Sequence, residues 1–198
     1  MSERLKVYLA GPEVFLPDAA AVGQRKQALC EAYGFEGLFP FDNEPPPGTR
    51  ADLAVYRANR ALIAAADLGI ANLTPFRGPS ADAGTVFELG LLLGLGKPAF
   101  AYTNEAADYL ARVTGAGPVS YDAAAARWRD AAGLAIEDFG NADNLMIAVA
   151  LAEHGRPILS RGAGGADRLR DLAGFEACLR QAAATRAALI GKGAAGRD

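Results

Sequence analysis

Apolar positions along the chain switch repeatedly between a two-residue and a helical repeat. Residues 5–10 (LKVYLA) form a short β-like run that stops at Gly11-Pro12, a strong breaker. Residues 18–33 have helical character, with Pro17 or Asp18 near the start and Gly34 just past the end. Residues 35–39 suit a second short strand. Residues 40–48 (PFDNEPPPG) are a proline-rich loop, because proline fixes φ and has no amide hydrogen to give a helix. Thr49 is the expected N-cap of a helix reaching about Ala66. A buried strand over 67–73 (DLGIANL), a polar loop over 74–81, an apolar helix over 83–95 and a strand over 97–102 (KPAFAY) follow. Helical patterns return at 141–153 and at 167–190, and residues 190–198 are expected to fray. The stretch 104–135 is rich in Ala and Gly and gives no clear order of elements.

Strands alternating with helices predict an α/β fold: one domain over residues 1–198, with a mainly parallel sheet flanked by helices. In such sheets ligands sit at the carboxyl ends of the strands. Three features land there: Tyr8 with the Gly11-Pro12 turn, the loop from Asn72 to Ser80, and Asp82, which opens the helix holding Glu88.

Composition removes several kinds of chemistry. Net charge is −3 with no basic stripe, so a nucleic-acid polymer is not the expected partner. The one histidine, His154, leaves no His-rich zinc site and no Ser-His-Asp triad. Cys30 and Cys178 stand far apart and fit reduced thiols. The opening MSERLKVYLAGP lacks the long apolar core of a signal peptide, and no run approaches the roughly 18 apolar residues of a membrane span. The expected address is the cytoplasm, away from membranes, and the expected reactive groups are carboxylates.

Glu88 is the sharpest feature. Between Ala83 and Gly96 every other residue is apolar, Gly or Thr. Burying a lone carboxylate there costs hydration, and residues that break the local rule tend to mark functional sites. A place on the helix's solvent face is the alternative, and Val86, Phe87, Leu89 and 91–93 leave little polar face for it. Asp82 suits an N-cap, a role compatible with catalysis. Gly84 either admits a ligand close to the backbone or eases packing. Asp67 is a junction residue or a site residue, Tyr8 packs in the core or faces the site, and Asn144 is a surface residue or a ligand contact. Phosphate-loop and dinucleotide fingerprints are absent, and the glycine-rich run at 162–167 suits a flexible loop.

Three stretches resemble the nucleoside 2-deoxyribosyltransferase family: VYLAGPEVF (7–15), NLTPFRGPSADAGTVFELG (72–90), with its D-x-G-[ST]-x-x-E-x-G pattern, and EDFGNADNLM (137–146). The resemblance implies a flavodoxin-like fold, homo-oligomers with shared active sites, and transfer of a 2-deoxyribosyl group between purine or pyrimidine bases without metal or organic cofactor. Substrates would be small-molecule 2′-deoxynucleosides and free nucleobases. It implies that Glu88 attacks C1′ and forms a covalent intermediate. Asp82 would contact the base and help to protonate it, with Asp67 helping to bind it. Tyr8 would orient Glu88, and Asn144 would reach a sugar hydroxyl across an interface. Gly11, Phe15 and Gly84, in the same stretches, are expected against the substrate. An apolar wall of Val86 or Phe87 is expected to exclude a 2′-hydroxyl.

Elementary chemistry fits this scheme. Breaking the N-glycosidic bond develops oxocarbenium character that a carboxylate stabilises and captures, and the departing base nitrogen needs a proton. Related enzymes hydrolyse deoxynucleoside 5′-monophosphates, and Arg77 and Ser80 lie where a phosphate could bind. A non-catalytic nucleoside sensor is the third expectation.

Overall fold

Val7, Tyr8, Leu9 and Ala10 are all fully covered, so their strand needs neighbours on both edges and helices on both faces. A computed structural model describes residues 4–40, 50–162 and 167–186 and meets that demand. In chain order its elements begin β1 (Lys6–Ala10), α1 (Ala19–Ala32), β2 (Glu36–Leu38), α2 (Ala51–Ala65), β3 (Leu68–Asn72), α3 (Ala83–Gly94) and β4 (Ala99–Thr103). They continue α4 (Tyr109–Ala116), β5 (Val119–Asp122), β6 (Arg127–Asp130), β7 (Ala135–Ile136), α5 (Leu145–Glu153), β8 (Leu159–Ser160) and α6 (Ala173–Ala184).

The main sheet is parallel throughout, ordered β2-β1-β3-β4-β8. Counted along its own five strands this is the 2-1-3-4-5 order of flavodoxin-like folds. The chain leaves β1 toward one edge and returns beyond it as β3, so the carboxyl ends of β1 and β3 bound the crevice where such sheets bind ligands.

Side chains alternate across each strand and divide into two cores. Val7, Leu9, Ile70, Phe100 and Tyr102 pack with Val22 and Cys30 of α1 and Phe175, Cys178 and Leu179 of α6. Tyr8, Ala10, Ala71, Ala99 and Ala101 pack with Ile63 of α2, Leu89 and Leu92 of α3 and Leu151 of α5. The second face carries small residues, so its helices approach the sheet closely. A Cβ on Gly69 would stand 2.3 Å from Leu92 Cδ1, so this glycine is what lets α3 settle onto β3. Both cysteines are free and buried.

Most expected elements lie where the pattern put them, and the departures have local causes. The helix expected over 141–153 begins only at Leu145, because Asn144 caps it by accepting the Met146 N–H. The helix expected over 167–190 is Ala173–Ala184, with a turn at 167–170 before it. The strand expected from residue 97 starts at Ala99, because Lys97 turns back to donate to the carbonyls of Ile63, Ala64 and Ala66 at the end of α2. The unordered stretch 104–135 contains α4, β5 and β6. Strands β5, β6 and β7 form a small antiparallel sheet. Thr49, nearly all of the proline-rich loop, the centre of the 162–167 run and the C-terminal tail lie outside the described residues; α2 has Arg50 at its cap position. Among the described residues no helix is long and apolar enough to cross a membrane.

Candidate active site

The face of small residues brings three polar side chains from three elements together. Tyr8 points from β1 beneath α2 and α3, and its hydroxyl donates to Glu88 Oε1 at 2.6 Å. Asn59, from the middle of α2, donates from Nδ2 to the same oxygen at 3.2 Å. Leu92, one helical turn beyond Glu88 and fully buried against Gly69, holds α3 at the height that makes these bonds. Glu88 Oε1 is thus tied twice, while Oε2 has no partner among the described residues.

Burial pushes the Glu88 carboxyl above its ordinary range, the Tyr8 and Asn59 donors pull it back, and the Asp82 charge pushes it up again. Burial, reinforced by Glu88, drives the Tyr8 phenol far upward, so Tyr8 stays a proton donor throughout the range in which proteins work.

Asp82 is the N-cap of α3. Its Oδ2 accepts from the Thr85 N–H at 2.9 Å and from the Thr85 hydroxyl at 3.1 Å. Six residues of helix set its backbone roughly 9 Å along the axis from that of Glu88. Gly84 is exposed in the first turn, and a Cβ there would lie 3.1 Å from Asp82 Oδ2. A side chain at this position would therefore crowd the capping carboxylate.

The two loops leaving β1 and β3 meet through aromatic rings. Phe15 stacks on Phe76 with centroids 5.1 Å apart and planes at 14°. The Arg77 guanidinium lies over both rings, at 5.1 Å from Phe15 and 4.7 Å from Phe76. Arg77 adopts φ 55°, an uncommon conformation for a residue with a Cβ. Phe15 remains 54% exposed, so the stack offers a flat apolar surface at the mouth of the crevice. Gly11 has an internal reason for its identity. A Cβ there would stand 1.9 Å from Glu13 Oε2, and Glu13 is fully buried in an ion pair with Lys26 Nζ at 2.5 Å.

Some expected site residues are elsewhere. Asp67 lies at the opposite edge of the sheet from Asp82, at the amino end of β3, where its Oδ2 accepts from the Lys6 N–H at 2.8 Å. About five residues of strand, roughly 16 Å, separate it from the carboxyl end. This places Asp67 in a contact at the amino end of the strand, away from the carboxyl end where Asp82 and Glu88 lie. Asn144 is engaged within its own chain, its Nδ2 donating to Glu137 Oε1 at 2.7 Å and its Oδ1 capping α5. Val86 packs against the core and Phe87 is 58% exposed. Neighbours one or two positions away do not share a helix face with Glu88.

Asn59 and Phe76 were not singled out from the sequence. Asn59 had a signal, since a polar residue three and four positions before Leu62 and Ile63 lies on the buried stripe of α2. Phe76 had none, because its value comes from a partner 61 residues away.

Comparison with known proteins identifies the family and the fold. The family model for nucleoside 2-deoxyribosyltransferase matches residues 7–146. A 2-deoxyribosyltransferase from Leishmania mexicana is similar over 91% of this chain and 97% of its own, with a TM-score of 0.63 and 29% identity. A conserved protein from Enterococcus faecalis covers 90% and 99% at 17% identity and a TM-score of 0.51, a likeness of fold. An uncharacterized protein of Schizosaccharomyces pombe is 36% identical over 113 residues, 54% of each chain, so the chain spans about half the length of that curated relative.

Proposed function

Because the chain belongs to the nucleoside 2-deoxyribosyltransferase family, we propose that it moves a 2-deoxyribosyl group between nucleobases by double displacement at Glu88. The observation that carries this reading is the half-buried Glu88 carboxylate, held at Oε1 by Tyr8 and Asn59 with Oε2 left free of the described residues. Oε2 attacks C1′ of a 2′-deoxynucleoside as the C1′–N bond breaks and its electron pair passes to the base. Asp82, at the head of the same helix, supplies the proton that the departing base nitrogen needs. An incoming base then attacks C1′ through nitrogen and returns that nitrogen's proton to Asp82, the ester to Glu88 breaks, and the carboxylate is restored. The Phe15–Phe76 stack is a surface for the flat face of a base.

Completion of the site by a second copy fits the surroundings of Asn144. Met146 and Phe139 beside it are 72% and 68% exposed, an apolar rim suited to self-association. A second reading, hydrolysis of a deoxynucleoside 5′-monophosphate, is favoured by one feature: Arg77, an exposed cation held over Phe15 and Phe76.

Product analysis tests the proposal. Incubation with 2′-deoxyinosine and adenine is expected to give 2′-deoxyadenosine, with none formed when adenine is left out or when Glu88 is replaced by Ala. Free hypoxanthine and sugar without exchange would point to the hydrolase, and turnover by folded Glu88→Ala protein would overturn the role of Glu88.

A further inference from the structure

Among the described residues the buried ion pair Arg112–Asp143 grips the loop directly before Asp82, and we infer that this pair is a positioning device for Asp82. The inference rests on the reading of Asp82 as the group that protonates the leaving base.

Arg112 comes from α4 and Asp143 from the residues just before α5, and their side chains are 6% and 1% exposed. The guanidinium Nη2 meets Asp143 Oδ2 at 3.2 Å, and its Nε donates to the Pro79 carbonyl at 2.6 Å. Nη1 donates to the Ala107 carbonyl at 3.2 Å, which ties the arginine to the segment just before α4. Asp143 Oδ2 in turn accepts from the Ala81 N–H at 3.0 Å. The pair therefore grips the loop through a carbonyl at Pro79 and an amide at Ala81, the residue directly before Asp82. From the other side, Thr85 holds Asp82 Oδ2. Between these two grips the carboxyl group of Asp82 has little freedom to swing.

Stability alone does not account for the pair. Taking two charges out of water cancels much of their attraction, and apolar residues of equal volume often serve folding as well. An arginine fork reaching three groups in fixed directions supplies geometry instead. That geometry is applied one residue from Asp82, and a misplacement of about 1 Å at a reacting group can cost on the order of 100-fold in rate.

Arg112→Lys is the variant to make, because it keeps a positive charge beside Asp143 and removes the fork. Asp143→Asn is the second: its amide oxygen can still accept from Ala81, while the charge and the oxygen that accepts from the Asn144 N–H are lost. Exchange from 2′-deoxyinosine to adenine is followed for both, each alone and combined with Asp82→Asn, with thermal melts to confirm folding. Arg112→Lys is expected to lower kcat by about 10- to 100-fold while KM stays within about threefold. In the Asp82→Asn background it is expected to add almost nothing, because the group it positions has gone. Asp143→Asn is expected to show the same dependence on Asp82 with a smaller loss. Losses that multiply with that of Asp82→Asn, or that appear in KM alone, overturn the positioning role and leave the role of Asp82 intact. An Asp82→Asn protein with parental kcat would instead sink the reading on which the inference rests.

Discussion

Replacing Tyr8 by Phe removes one hydroxyl and leaves the ring in its core, which isolates a single bond. That bond is the 2.6 Å donation to Glu88 Oε1, the shorter of the two that hold this oxygen. A hydrogen bond to a charged group is worth about 1.5–3 kcal/mol. Losing it raises the Glu88 carboxyl further above its ordinary range. The sign follows from the structure: burial already pushes Glu88 up, and Tyr8 is the first of the two donors opposing it. A nucleophilic carboxylate must be ionised, so activity is lost as pH falls through this value. The acid limb of kcat/KM, which reports the free enzyme, should therefore move to higher pH.

The height of the plateau is less diagnostic, because a less stabilised carboxylate is more basic even as it becomes less well aimed. Only the limb has a single predicted direction. Initial rates of exchange from 2′-deoxyinosine to adenine at low substrate, measured across the acid range for parent and variant, give the comparison. An acid limb that stays in place, or moves to lower pH, in a folded Tyr8→Phe protein refutes the assignment of Glu88 as the ionised group that Tyr8 stabilises.

Three further outcomes follow from the same geometry. Glu88→Gln should melt higher than the parent near neutral pH, by about 0.5–2 kcal/mol. Its advantage should vanish in acid, because the parent's carboxyl is raised in the fold and its burial cost appears only as pH rises through that raised value; equal melting near pH 8 would count against a carboxylate raised by burial. Lys26→Met should destabilise by about 3–5 kcal/mol by leaving Glu13 charged and buried, and adding Glu13→Gln should restore much of that; a double variant no more stable than the single one would contradict the pairing. Asp67→Ala should keep exchange within about twofold of the parent, because the residue sits at the amino edge of β3, and a tenfold loss would return Asp67 to the site.

How much of this was legible in the sequence depended on the range of the interactions involved. The strands and helices up to β4 are readable because burial on both faces leaves a local apolar run. Glu88 was readable as a breach of that pattern. The bond between Tyr8 and Glu88 spans 80 residues, and only resemblance suggested it. The position of Asp67 at the amino end was not legible for a related reason: a carboxylate beside an apolar strand looks the same at either end until the direction of the strand in the sheet is known. The stretch 104–135 stayed opaque because α4 and the small antiparallel sheet are held by contacts beyond the local repeat. Arg112 is a plain surface-type residue in the sequence, and it is buried only because Pro79 and Asp143 come to meet it.

Glu88 is placed between two opposing requirements. Burial raises the basicity of a carboxylate and so its power as a nucleophile, yet burial carried far enough would hold it neutral and inert. Tyr8 and Asn59 counter that tendency at a single oxygen. Because both donate to Oε1, they favour the ionised form without covering Oε2 and fix the direction in which Oε2 points. Donors shared between the two oxygens would have kept the charge and blocked the attack. Such preorganisation asks for little movement when C1′ arrives. It also explains why the two donors come from β1 and α2, on either side of the crevice wall, and not from α3 itself: groups one turn away on the same helix could have capped the carboxylate but could not have aimed it.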